Sequence, residues 1–122
     1  MIDLYSHVVD IIGAVDGLGG RVYSDYPSRV PTKAPYAIVG EIGNAVDLLS
    51  DGEEIIATMT YSVDVFAPAR ADCRAIVSDI CQVAARYGGI RLGLFDGFSE
   101  SNLARINITL RFRADKRGAT FT

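Results

Sequence analysis

The period of hydrophobicity changes twice in the second half of this chain, and those changes restrict what it can fold into. From Ile55 the apolar residues take every second position: Ile55, Ala57, Met59, Tyr61, Val63 and Val65, with Thr58, Thr60, Ser62 and Asp64 between them. Successive side chains of a strand point to opposite faces, so Ile55–Phe66 reads as a strand with one dry and one wet face. After Ala67-Pro68 the period becomes helical from about Ala69 to Tyr87, with Pro68 suited to the first turn. The stripe expected to be buried is Cys73, Ile76, Val77, Ile80, Val83, Ala84 and Tyr87; Arg70, Asp72, Arg74, Ser78, Asp79, Gln82 and Arg86 form the wet side. Gly88-Gly89 ends the helix. Alternation then returns from Leu103 to Arg113, with Ile106, Ile108, Leu110 and Phe112 inward and Arg105, Asn107, Thr109, Arg111 and Arg113 outward.

The first half is less regular. Ile2, Tyr5, Val8, Val9, Ile12 and Val15 recur at three- and four-residue steps, which predicts an amphipathic helix ended by Gly17-Leu18-Gly19-Gly20. A short strand is expected at Arg21 to Ser24. The prolines between Tyr26 and Pro35 predict an extended surface crossing. Tyr36 to Ile42 reads as a central strand because its start is almost continuously apolar. Gly43 to Glu54 is expected to be a long acidic connection with Asp51-Gly52 as a turn. Ile90 to Phe98 is ambiguous, with room for a short strand at Arg91–Phe95. The order α-β-β-β-α-(β)-β predicts an α+β fold, a mostly antiparallel β-sheet with two α-helices on one face. A single domain is expected over 1–114, with a polar C-terminal tail over 115–122.

Composition narrows the function classes. A hydrophobic fraction of 49% with mixed charges argues against disorder, and a net charge of −3 argues against a dedicated nucleic-acid binder. No apolar run is long enough for a membrane span, and Met1-Ile2-Asp3-Leu4 lacks the features of a signal peptide, so folding in a cytoplasm is expected. Cys73 and Cys81 are eight residues apart on one helix, about 12 Å of rise, and cannot bridge.

The chemistry-bearing residues do not form a catalytic set. His7, the single histidine, falls on the polar side of the first helix without neighbouring ligands, and neither a metal site nor a triad is expected. Gly17–Gly20 follows a helix rather than a strand and lacks the lysine or third glycine of a phosphate loop. Asp47, Asp51, Glu53 and Glu54 do not have calcium-loop spacing and read as a solvated acidic segment. Arg105, Arg111 and Arg113, extended by Lys116 and Arg117, are either a solvated strand face or a surface between subunits. A basic strand and an acidic segment in one chain invite head-to-tail pairing of copies, which makes Asp47, Asp51, Glu53, Glu54, Arg105, Arg111 and Arg113 the candidate intersubunit or partner interface.

The order of elements resembles that of the tail-terminator (tail-completion) proteins of long-tailed bacteriophages. The local stretches that carry the resemblance are Val22-Tyr23 before the proline-rich crossing, Pro35-Tyr36 opening a strand, Tyr61-Ser62-Val63-Asp64-Val65-Phe66 leading into a helix, and Arg105-Ile106-Asn107-Ile108-Thr109-Leu110-Arg111-Phe112 near the C-terminus. The resemblance covers nearly the whole chain, from Leu4 to Arg113. The resemblance implies a structural virion protein without enzymatic activity or cofactor. It would assemble in the host cytoplasm as a homohexameric ring at the head-proximal end of the tail. There it would end tail-tube polymerisation, meet the tail tube protein and the head–tail connector, and let DNA pass through its channel. The alternatives are another head–tail joining protein, or a small-molecule-binding α+β regulatory domain with the Gly17–Gly20 turn at its ligand edge.

Overall fold

The computed structural model describes residues 1–24, 33–98 and 102–116. Helix α1 (Tyr5–Gly13) is followed by a single 3₁₀ turn at Asp16–Leu18, then strands β1 (Val22–Ser24), β2 (Tyr36–Ser50) and β3 (Glu53–Ala67). Helix α2 (Arg70–Arg86) and strands β4 (Ile90–Phe98) and β5 (Ala104–Asp115) complete the elements of the described residues. The α+β fold and its element order are those the sequence predicts. The expected crossing at Tyr26–Pro35 and the tail beyond Lys116 lie largely outside the described residues.

The five strands form one sheet in the order β1-β2-β3-β5-β4. Only β1 runs parallel to its neighbour, pairing Val22–Ser24 with Ala37–Val39, and the other three pairings are antiparallel. The β3–β5 ladder is unbroken from Ile56↔Asp115 to Ala67↔Ala104. It therefore places the inward sets of both strands on the same face. Met59, Tyr61, Val63 and Val65 of β3 and Ile106, Ile108, Leu110 and Phe112 of β5 are all buried there, under Val8 and Ile12 of α1 and Cys73, Ile76, Val77, Ile80 and Ala84 of α2. Burying each such side chain contributes roughly 1.5–3 kcal/mol, so this ladder and its two helices carry the core.

Helix α2 ends as its sequence requires. Gly88 adopts φ 78°, the Gly89 amide donates to the Ala84 carbonyl at 2.8 Å, and the Gly88 amide donates to that of Ala85 at 3.1 Å. That pair of bonds is a Schellman closure, and the left-handed residue in it favours glycine. Asp72 in the first turn and Arg86 in the last suit the helix dipole. Tyr87, expected in the buried stripe, is exposed because it lies in this cap and not in the helix.

Three expectations are corrected. Gly43–Glu54 is not a long connection: β2 continues to Ser50, β3 begins at Glu53, and only Asp51 and Gly52 turn. Both turn residues have positive φ (51° and 79°), the geometry of a type I′ hairpin. The extension was hidden because residues 40–50 bury neither face fully, so the alternation that marks a half-buried strand is missing. Ile90–Phe98 is likewise one full strand. Finally, the second face of the sheet is not wet throughout. Tyr36, Ile38 and Phe66 form a small buried cluster on it, joined by Tyr23, Ala34 and Leu103, with the Tyr36 and Phe66 rings stacked at 4.8 Å.

Candidate interaction surfaces

The face of the sheet opposite α1 and α2, which among the described residues carries no helix, holds the arginine row, and register decides what each arginine meets. In β3 and β5, Phe66 faces Arg105, Asp64 faces Asn107, and Thr58 faces Arg113. Asp64 is buried, with 5% of its surface exposed. Its Oδ1 accepts hydrogen bonds from Arg105 Nε (3.1 Å) and Nη2 (3.0 Å) and from Asn107 Nδ2 (2.9 Å), and Asn107 Nδ2 also reaches Ser62 Oγ at 2.8 Å. The Arg105 guanidinium lies 5.7 Å from the centre of the Phe66 ring. A buried carboxylate needs such partners, so much of this arginine's binding capacity is engaged within the chain.

Arg111 and Arg113 lie toward the other end of β5, about 20 and 27 Å from Arg105 along an extended strand. Arg113 Nε is 3.7 Å from Asp47 Oδ2, which also accepts a hydrogen bond from the Thr58 hydroxyl. These three residues, with Arg111, Gly88 and Ile90, line an open hollow of about 510 Å³. The structure thus brings Asp47, Arg111 and Arg113 together and leaves Arg105 apart from them.

The other acidic candidates cluster at the tip of the β2–β3 hairpin. Glu53 meets Lys116 at 2.9 Å, and the hydrogen bond from the ammonium, with its charge, holds the Glu53 carboxyl below the usual carboxylate range. Glu54 lies 3.1 Å from the amino group of Met1. Asp51 is exposed at the turn. Arg117 lies outside the described residues.

Two apolar surfaces were not anticipated. The first is the distal part of β2, where Ile42, Val46, Leu48 and Leu49 are exposed, Ile42 by 62%. The second is β4, where Ile90, Leu92, Leu94 and Phe95 are exposed, Phe95 by 70%. Exposed apolar patches of this kind mark contact surfaces. The sequence signal was present: Leu48-Leu49 beside acidic residues, and four large apolar side chains between Ile90 and Phe95 without a period that buries them.

Strand β4 is tied to α2 by Asp96, which reaches Arg74 at 3.1 Å and Arg70 at 3.4 Å. Beneath it a groove of about 320 Å³ is lined by Arg74, Val77, Ser78, Cys81, Arg91, Leu94 and Ile106. His7 is exposed on α1, and among the described residues no group of three or more His, Cys, Asp or Glu side chains is placed to hold a metal ion. Burial pushes the thiols of Cys73 and Cys81 up from their ordinary range.

No family model and no curated protein matches the sequence. Among solved structures, a chain from "Virion of native gene transfer agent (GTA) particle" aligns with this one at 18% identity and a TM-score of 0.49, covering 88% of this chain and 84% of that one.

Proposed function

We propose that this chain is a structural virion protein that forms a ring at the head-proximal end of a phage tail, where it ends tail-tube polymerisation and joins the tail to the head connector. The resemblance of its sequence to tail terminators motivates the reading. The observation that carries it is the position of the exposed apolar side chains, which collect along two strand borders of a single sheet and suit a protein that completes its fold by assembly. Its partners are further copies of itself in a homohexamer, the tail tube protein and the head–tail connector. DNA would pass through the ring without being read. The carboxylates of Asp47, Asp51, Glu53 and Glu54 suit either the channel wall, where negative charge repels a polyanion, or the contact with the tube.

Native mass and negative-stain images of the protein, alone and with tail tubes of the same phage, test the proposal. Six-membered rings, alone or only on tubes, are the expected result. A dimer whose melting temperature rises with a metabolite would instead identify a regulatory domain. Replacing Asp47, Asp51, Glu53 and Glu54 together by Asn and Gln is expected to impair assembly or DNA passage; normal phage yield would remove these residues from the function.

A further inference from the structure

Strand β4 and the distal half of β2 lie at opposite borders of the sheet. β1 covers β2 only at Ala37–Val39, so among the described residues the outer edge of Gly40–Ser50 has no strand partner. β4 is the last strand on the other side, and among the described residues its outer edge is likewise unpaired. Proteins that stay apart blunt such edges with lysine, proline or bulges; both strands carry register shifts, but neither lysine nor proline occurs in Gly40–Ser50 or Ile90–Phe98. Both segments instead display large apolar side chains, Ile42, Val46, Leu48 and Leu49 on one and Ile90, Leu92, Leu94 and Phe95 on the other.

The charges of the two borders are opposite. From Gly40 to Ile56 the hairpin holds Glu41, Asp47, Asp51, Glu53 and Glu54 and no lysine or arginine. On the β4 side the acidic Asp96 is held by Arg70 and Arg74 of α2, which leaves Arg91, and Arg111 on the adjacent strand, as charges that among the described residues make no ion pair. At the hairpin, Glu41 and Asp51 are exposed and also make none. An apolar strip with acidic flanks therefore faces away from one side of the molecule, and an apolar strip with basic flanks faces away from the other.

We infer that the distal β2 strand of one copy lies along β4 of the next, in a head-to-tail contact that joins copies of this chain. The occupant of each border is the opposite border of a second copy, because each offers an apolar surface for the other to cover and a charge opposite to the other's. Two unlike patches make the contact heterologous, which yields a ring when the rotation between successive copies closes and a filament when it does not. Register shifts at Glu41/Gly43, Val46/Leu48 and Leu48/Leu49 interrupt the straight run of β2, so side chains rather than an unbroken main-chain ladder carry the contact. The inference rests on the self-assembly part of the proposed function and gives it a specific interface.

The test uses two variants of the full chain, Ile42→Glu/Leu48→Glu on β2 and Leu92→Glu/Phe95→Glu on β4. All four positions are exposed, and circular dichroism with thermal melting establishes that each variant folds. Native mass spectrometry is run on wild type, on each variant alone and on their mixture, with and without tail tubes. Wild type is expected to assemble beyond a dimer, each variant alone to remain at the 13.1 kDa monomer, and the mixture to form dimers and nothing larger. A mixture has one intact β2 and one intact β4, enough for a single contact. If wild type assembles and the variants assemble as it does, the edge assignment is overturned while the proposed function stands. Dimers formed by either variant alone would overturn the head-to-tail geometry. A wild type that stays monomeric even with tail tubes would overturn both.

Discussion

Asp64 and Arg105 sit on neighbouring strands, on the face of the sheet opposite the two helices, and both Nε and Nη2 of the arginine donate to one oxygen of the buried aspartate, at 3.1 and 3.0 Å. The pairing binds β3 to β5 beside the Tyr36–Phe66 stack and gives Arg105 a role inside the fold. Removing the arginine leaves a buried carboxylate with Asn107 among its remaining partners. Arg105→Ala is therefore expected to cost about 1–3 kcal/mol, with the lower half of that range favoured because the arginine is 37% exposed. Arg105→Lys restores only part of it, since a lysine lacks the fork. Urea unfolding with an unchanged slope is the measurement; an unaffected midpoint would show that the pair contributes nothing net.

Gly89 is fixed by packing. A Cβ there would stand 2.6 Å from Phe112 Cε1, 2.8 Å from its Cζ and 2.9 Å from the Ala84 carbonyl oxygen. The ring is buried and the carbonyl belongs to the helix cap, so neither yields cheaply. Gly89→Ala is expected to destabilise the protein by about 1–3 kcal/mol, read as a lowered melting temperature. Gly93→Ala serves as a control, because open space surrounds that position.

The Glu53–Lys116 pair gives a pH signature. Glu53 has its pKa lowered from 4.5 in the folded state, so its contribution to stability is present above the unfolded-state value and fades as pH falls through the lower, folded one. Lys116→Ala should return the Glu53 carboxyl to its ordinary range in an NMR titration. The change in stability should be small, because solvent screens an exposed pair.

Both thiols have pKa values raised by burial, and only a thiolate reacts readily. Cys73 is enclosed in the core with its Sγ 3.2 Å from the Val65 carbonyl oxygen, whereas Cys81 is partly exposed. In the folded protein at pH 8, an aromatic disulfide reagent is expected to modify Cys81 slowly and Cys73 far more slowly, with both reacting at once in urea. Comparable rates for the two in the native state would contradict the burial of Cys73.

Legibility in the sequence followed burial. Met59, Tyr61, Val63 and Val65, the α2 stripe and Ile106 to Phe112 were readable because each element has one dry face, and the period of its apolar residues reports its local geometry. The apolar residues of β4 and of the end of β2 stay exposed, so Ile90–Phe98 reads only as ambiguous, with room for a short strand, and Gly43–Ser50 reads as part of a connection. Asp64 was assigned to a wet face by parity alone, and nothing local signals that it is buried.

The chain by itself therefore determined the order of its elements, the inward face of β3, β5 and α2, and the Asp51-Gly52 turn, since each depends on residues close in sequence. The tertiary structure decided what meets across strands. It set the register that brings Arg105 to Asp64, 41 residues away, and it gathered Asp47, Arg111 and Arg113 around one hollow. It also left Leu48 and Phe95 at opposite borders of the sheet. Those relations depend on long-range pairing, whose energy is spread over a whole ladder and is written in no single stretch of residues.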